Sequence, residues 1–495
     1  MAVRAQQAGS IQSQPDSAFF PSLGIFQQRL FSFYEQTPGQ VLFHPSSGYS
    51  LSQLEMARSQ GNWRTLQQPE KSTKYQISST GVSQVNQFKV WGDFRYTRRQ
   101  EDSVGWRLRP EQNDVSPYYL ANIQPGNWDT HDYQLKGAAG VRVSDHILLV
   151  AGARLQTGTY GRYNDPRPEI SRYRLRLEGG IGYSISSASL VLSGIYGYGE
   201  ETNKVSYQNQ MNRSEGRPTY TAQDVMGYGF YRVVTETGIN LREDLKIKGA
   251  AAVVQVGNIN VTYMYQQKER DYSREIPVSG DISPYSPIGD VTQNEHCLVS
   301  SYQWGKTAVQ RLAGLEFQSV SVKDFNRRII QGNNYLGTHR TATLSYDEKR
   351  PAWEYGLSLN LRRDSRKDGT AAVNYLVQTA RLQAEASKRI NVGGNFLQVN
   401  GQVGYRADVG SKLTIGSQYN EFMRGVVLPD FAYYSSGLLE PGMSLGYGVK
   451  VKNVLLLPTL GYQWQKPMSV KAVPGAAYQP GQSRSTYWVQ LNVHL

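Results

Sequence analysis

Long stretches of this sequence alternate strictly between two chemistries, and that pattern constrains the fold more than any other feature. Tyr173, Leu175, Leu177, Gly179, Ile181, Tyr183 and Ile185 alternate with Arg172, Arg174, Arg176, Glu178, Gly180, Gly182 and Ser184. Period two marks a β-strand whose faces meet different surroundings. A run of about fourteen residues is also far longer than the usual 5–6 of a globular strand. Phe88, Val90, Gly92, Phe94 and Tyr96 alternate in the same way with Gln87, Lys89, Trp91, Asp93 and Arg95. Similar segments follow at 133–141, 190–198, 261–265, 313–319, 355–361, 397–405, 443–451 and 487–495. The fold class is all-β.

Very short turns join several neighbouring strands, at 144–145, 186–187, 257–258 and 452–453. Between these hairpins lie long polar stretches, at 100–130, 200–224 and 268–294. Short turns at one end and long loops at the other is the asymmetry of a bacterial outer-membrane barrel. One face of each strand is aliphatic and Gly-rich with Tyr or Trp near its ends, which suits lipid and an aromatic girdle. The other face is charged, which suits a wet or plugged lumen. Backbone groups in lipid must all be paired, so such a sheet must close. A propeller would repeat every ~40–50 residues, and no such repeat is present.

Composition narrows the choice. Tyr (34) outnumbers Phe (14), and 48 of 495 residues are Gly. Helical membrane spans need ~18 consecutive apolar residues, and the best runs here are 147–153, 250–254 and 454–457. A single cysteine, Cys297, excludes a disulfide framework and any multi-Cys metal site. The formal charge of +13 predicts an anionic neighbour.

The chain stops on an alternating strand, 487–495, whose apolar face ends at Leu495, resembling the terminal signal strand read by barrel-insertion machinery. Periodic segments from about Tyr75 onward predict a closed antiparallel transmembrane β-barrel of about sixteen strands, fourteen to eighteen allowed. Ahead of it, Leu23, Phe26, Leu30 and Phe33 have helical spacing, and a second apolar-periodic piece runs 51–57. Three parts are expected: a terminus at 1–18, a partly helical plug or periplasmic segment at 19–72, and the barrel at 73–495. Val3-Arg4-Ala5 before Gln6 reads either as the end of a secretory signal or as an ordinary terminus.

The sharpest constellation is Arg172, Arg174 and Arg176 on one polar face, ~6.6 Å apart at 3.3 Å per residue. It is either an anion-attracting lumen wall or a set of ion pairs using Glu178, Glu316 or Asp93. Lys89 and Arg95 share the lumen face expected of Asp93. No catalytic site is expected. His131 and Asp132 are adjacent, and adjacent strand side chains point to opposite faces. No Ser-centred or paired-carboxylate motif stands out near either His131-Asp132 or His296. No cofactor or metal is expected, and nothing resembles a nucleic-acid module. The basic pairs Arg98-Arg99, Arg362-Arg363 and Arg366-Lys367 are expected at strand ends or loops, facing lipopolysaccharide phosphates or polar periplasmic groups.

Three motifs carry a resemblance: YNDPRPEISRYRLRLEGGIGYSIS (163–186), VWGDFRYTRR (90–99) and SPYYLANIQ (116–124). Together they resemble an uncharacterised outer-membrane β-barrel family of Bacteroidota, over about the first 200 residues. The DPRP loop matches at Asp165 to Pro168, while Asn122 stands where the family pattern has an acid. The resemblance implies outer-membrane location and association with TonB-dependent receptors or surface lipoproteins, and supplies no catalytic residues. QVLFHPSSGYSL (40–51) is similar to the opening of fatty-acid-transporter-like barrels, with His44-Pro45-Ser46 replacing their Asn-Pro-Ala. The expected function is a channel or transport component for an anionic solute. The alternative is a plugged barrel that serves as structural partner of a receptor or lipoprotein complex.

Overall fold

The computed structural model describes residues 24–110, 115–213, 219–234, 239–275, 285–306, 308–416 and 419–494. The terminus expected at 1–18 lies outside the described residues. One antiparallel sheet closes on itself as an 18-stranded barrel, with a short strand, Lys412–Thr414, outside the ring against Val373–Val392. The count stands at the top of the expected fourteen to eighteen, and one of the two strands beyond sixteen lies ahead of Tyr75. Tyr49–Gly61 pairs with Lys71–Val85 on one side and with Arg484–His494 on the other. The piece 51–57 is therefore wall, and the barrel begins at 49 instead of 73.

Turns of two residues, such as 86–87, 186–187, 257–258, 393–394 and 452–453, gather at one end of the barrel. The described residues of the long connections at 105–125, 207–238, 409–436 and 470–483 gather at the other. The stretch 268–294, read as a loop, is mostly strand, because Ile259–Glu275 and Tyr285–Lys306 continue past the apolar zone. Cross-strand pairs such as Lys246–Asp271 and Lys248–Glu269, both 3.9 Å, replace apolar contacts there.

The outer surface follows the alternation. On Arg167–Ile185, Tyr173, Leu177, Ile181 and Tyr183 are exposed while Arg172, Arg176, Glu178 and Ser184 are buried. From Tyr173 to Tyr183 the strand rises about 33 Å at 3.3 Å per residue, or about 25 Å once tilted by ~40°. That matches the apolar band of a transmembrane barrel of the outer-membrane type.

The N-terminal segment lies inside this wall. The helix Ile25–Ser32 buries Phe26 and Leu30, one turn apart on one face, with Phe33 against Val299 and Leu312. Its first turn leaves backbone donors unpaired, and Phe26 N–H donates to the wall's Glu354 carboxylate at 3.2 Å. A 3-10 turn, Pro38–Phe43, follows, with the Gln40 Oε1 accepting from Gln36 and Thr37 N–H at 3.1 Å each. Wall glycines make room for it. A Cβ on Gly152 would stand 2.4 Å from Pro38 Cγ, and one on Gly314 would stand 2.3 Å from Phe33 Cζ.

The opposite end is capped by the long loops, folded inward. Tyr118–Ala121, Gln223–Met226 and Tyr231–Val233 form a small sheet, and Leu428–Tyr434 a short helix. Their core holds Trp106, Leu120, Val225, Phe422 and Tyr434, with Trp63 stacked on Tyr433 at 4.7 Å between centroids. Buried Asn122 donates from Nδ2 to the Thr219 and Thr221 carbonyls at 3.0 Å each. An ionised acid has no hydrogen to donate there. Asp165 of the DPRP loop accepts from Gln208 N–H (3.0 Å), Asn209 N–H (2.9 Å) and Asn212 Nδ2 (3.1 Å), tying a second loop to the rim.

Two outcomes follow. Gly152→Leu should unseat the N-terminal segment, so that protease added to the refolded barrel removes it in minutes. Gly179→Ala, where a Cβ would meet nothing within 4 Å, should leave it protected; equal protection in both variants contradicts the seating. Asn122→Asp should loosen the cap by about 2–4 kcal/mol, two lost buried hydrogen bonds at roughly 1–2 each, seen as faster amide exchange across 116–124.

Candidate functional site: the charged lumen between the plugs

All eight sequence-predicted lumen residues lie on the inner face, among three groups of interactions. Lys89 donates to the His44 carbonyl of the N-terminal segment. Asp93 sits between Lys136 (3.6 Å) and Arg95 (3.9 Å). Glu316 faces the same segment, within electrostatic reach of Arg29.

The arginine row is cross-linked. Arg172 Nε donates to Glu201 at 2.6 Å, and Arg174 reaches Glu243 at 3.2 Å and Glu201 at 3.9 Å. Arg176 pairs with Glu178 at 2.8 Å on its own strand. Glu243 also takes the Tyr272 hydroxyl at 2.6 Å and lies 3.7 Å from Arg270. Next along, Lys268 meets Glu295 at 2.8 Å, and Arg274 meets Asp224 of the cap at 2.5 Å. Of the three partners expected for the row, Glu178 is used, while Asp93 and Glu316 serve other cations. Sequence reading missed Glu201 and Glu243. Glu201 lay in a stretch read as loop, and only strand register puts Arg172 opposite Glu201 and Arg242–Asp244 beside that strand.

Buried like charges repel strongly in a low-dielectric interior, and desolvation penalises each unless geometry and extra hydrogen bonds compensate. The row is stable because carboxylates from two following strands interleave with it. Between the row and the cap lies a cavity of about 20 Å³, edged by Arg172, Glu201, Glu243, Tyr118 and Tyr272. That is room for about one water.

Two further clusters join plugs to wall. Arg29 of the N-terminal helix is buried between Asp347 (2.6 Å) and Glu385. Under the cap, Asp364 gathers His339 (2.8 Å), Arg366 (2.9 Å) and Arg362 (3.5 Å). Arg366 also lies over the Tyr228 ring at 4.6 Å, whose hydroxyl donates to Asp430 at 3.1 Å. Burial pushes the Asp430 carboxyl up to about 7, against the pull of Arg366. The basic pairs divide by parity: Arg362 and Arg366 point inward, whereas Arg363 and Lys367 point out. Arg98 points out to Asp129 at 2.7 Å, and Arg99 lies 3.9 Å from Glu101 inside. His131 meets the Tyr96 hydroxyl at 2.9 Å on the outer face while Asp132 accepts from Tyr160 at 2.8 Å within.

Three solved structures show a distant likeness to this chain. The ferric preacinetobactin receptor BauA of Acinetobacter baumannii is 10% identical at TM-score 0.37, over 90% of this chain and 80% of that one. The copper transporter OprC is 11% identical at 0.42, over 91% and 80%. A bacterial polysaccharide outer membrane secretin is 10% identical at 0.35, over 90% and 97%. No curated protein matches the sequence. The profile of a family of unknown function, DUF6850, matches residues 38–495, and the chain belongs to that family.

Proposed function

We propose that this chain is an outer-membrane barrel held shut from both ends, serving as the membrane-anchored partner of a surface complex. The observation that carries this reading is the pair of segments seated inside the wall, the N-terminal helix and the loop cap. The N-terminal segment is clamped by Arg29 between Asp347 and Glu385, and the loop cap meets the arginine row across a cavity of about 20 Å³. A wall whose cations are matched by Glu178, Glu201 and Glu243 offers little net attraction to a free anion. A TonB-dependent receptor or a surface lipoprotein, in a Bacteroidota envelope, is the partner that the motif resemblance favours. No catalytic role is assigned.

A second reading, anionic solute passage after the N-terminal segment leaves, is favoured by the seat of His44. The ring is buried 4.7 Å from Phe31 and 5.7 Å from Tyr49. Its Nδ1 accepts from Ser46 N–H at 3.1 Å, and Glu35 lies 3.9 Å from Nε2. Burial lowers its pKa from 6.5 to about 4, and the Lys89 ammonium adds to the effect. Once displaced, the imidazole titrates near 6.5, so the displaced state binds the proton first. The seat is at full strength above about pH 6.5 and weakens as pH falls towards 4.

Refolded protein in planar bilayers should be silent at pH 7; steady anion-selective openings in the wild type would refute the closed reading. Native membrane extracts should carry the chain in a larger complex than the refolded barrel forms alone. Lowering the pH from 7 to 4 should raise opening frequency, and His44→Gln should reduce that dependence. An unchanged pH profile in His44→Gln would remove His44 from the account.

A further inference from the structure

We infer that the outer wall carries a binding site for the phosphorylated headgroup of a membrane lipid, formed by Lys323, Arg340, Arg363 and Lys367. The inference rests on the membrane reading above.

These four residues lie on adjacent strands, Val309–Asn326, Tyr335–Lys349 and Trp353–Asp368, and all four are exposed on the outer face. Register fixes their arrangement. Arg340 stands directly opposite Arg363. Four residues further along, about 13 Å at 3.3 Å per residue, Lys323 and Lys367 flank Leu336 in one row. Between the two cationic rows runs a row of hydroxyls, Ser321, Thr338 and Ser365. Immediately beyond the arginines, on the short-turn side, come Phe317, Ala342 and Leu361 of the apolar band.

The side chains enclose a recess of about 420 Å³, to which all four cations contribute. Its polar lining also includes Thr292 and Asn294, and no carboxylate belongs to it. Like charges placed directly opposite on a sheet destabilise it, so Arg340 beside Arg363 calls for a counter-anion. Among the described residues none of the four has an ion-pair partner. Other outward cations do: Arg327 meets Asp290 at 2.6 Å, Lys246 lies 3.9 Å from Asp271, and Lys248 lies 3.9 Å from Glu269.

The order along the strands selects the ligand. Two cationic rows with hydroxyls between them match phosphate oxygens, which guanidinium forks and ammonium groups both bind. The apolar row next to the arginines matches acyl chains. An amphiphile with phosphate at its head satisfies both at once, at the long-loop boundary of the apolar band. Free phosphate satisfies only the first.

The test uses the full chain, refolded in zwitterionic detergent and checked by heat-modifiable gel mobility. Binding is titrated with diphosphorylated lipid A, its dephosphorylated form and inorganic phosphate. The diphosphorylated lipid should bind at least tenfold more tightly than either of the others. Arg340→Gln with Arg363→Gln, and Lys323→Gln with Lys367→Gln, should each weaken it at least tenfold. Lys246→Gln with Lys248→Gln, a pair already neutralised by acids, should leave it unchanged. Equal binding of the dephosphorylated lipid, or wild-type binding by both site variants, would overturn the site. Inorganic phosphate binding as tightly as the lipid would overturn the lipid assignment. Insertion into vesicles is scored separately: failure there overturns the membrane reading, while insertion without phosphate dependence overturns only this site.

Discussion

The pairing of the first wall strand with the last is the interaction on which the rest of the structure depends. Eleven register pairs between Tyr49–Gly61 and Arg484–His494 remove the two free edges that an open sheet would present to lipid. No water is available in hydrocarbon to satisfy such an edge, and each unpaired group costs several kcal/mol. Closure also creates an interior. Once eighteen strands form a ring, half of every strand faces a space too wide for side chains alone to fill, since about eight strands suffice for a side-chain-packed core. The N-terminal segment and the loop cap occupy that space from opposite ends.

Their chemistry differs because their neighbours differ. The N-terminal segment meets wall positions emptied of side chains, Gly152 at Pro38 and Gly314 at Phe33, together with two acids that Arg29 bridges. Removing one partner from such a buried cluster costs about 3–5 kcal/mol, so the clamp holds only while all its members are present. The cap instead brings its own core of Trp106, Phe422 and Tyr434 and touches the wall through Arg274–Asp224 and Tyr118–Asp324. One plug is a short segment held by the wall, and the other is a small folded unit resting on it. A change that weakens the first need not disturb the second.

Alternation made the wall legible wherever both faces kept their own chemistry, as from Tyr173 to Ile185. It failed at Tyr49–Gly61 for a physical reason. Leu51 is buried on the inner face while Leu54 and Met56 point outward, so apolar residues on both faces mimic helical spacing. Strands were also read too short wherever they left the apolar band. There Glu243, Asp271 and Arg274 carry polar residues on both sides, and cross-strand ion pairs hold the register. The arginine row was visible, but its partners were not, because Glu201 and Glu243 become neighbours of Arg172 and Arg174 only through pairing across three strands. The cap was hidden by composition, since its tyrosines and tryptophans sit in segments that otherwise read as polar loops.

The same register logic separates two populations of arginine that the sequence shows as pairs. Arg362 and Arg363 are adjacent, yet one faces Asp364 at 3.5 Å across the inner surface and the other faces outward opposite Arg340. Inside, a charge without a partner would bear the full desolvation penalty, so the strand that carries the arginine row is met by two that bring Glu201 and Glu243. Outside, above the apolar band, water and headgroups can solvate a cation, and the sheet tolerates Arg340 beside Arg363 without an acid. The arginine row is thus neutralised by the protein itself, while this stretch of the exterior leaves its neutralisation to whatever lies around it. The formal charge of +13 need not describe an anion-attracting pore, and the four outward cations contribute to it at a surface where phosphate is the natural counter-charge.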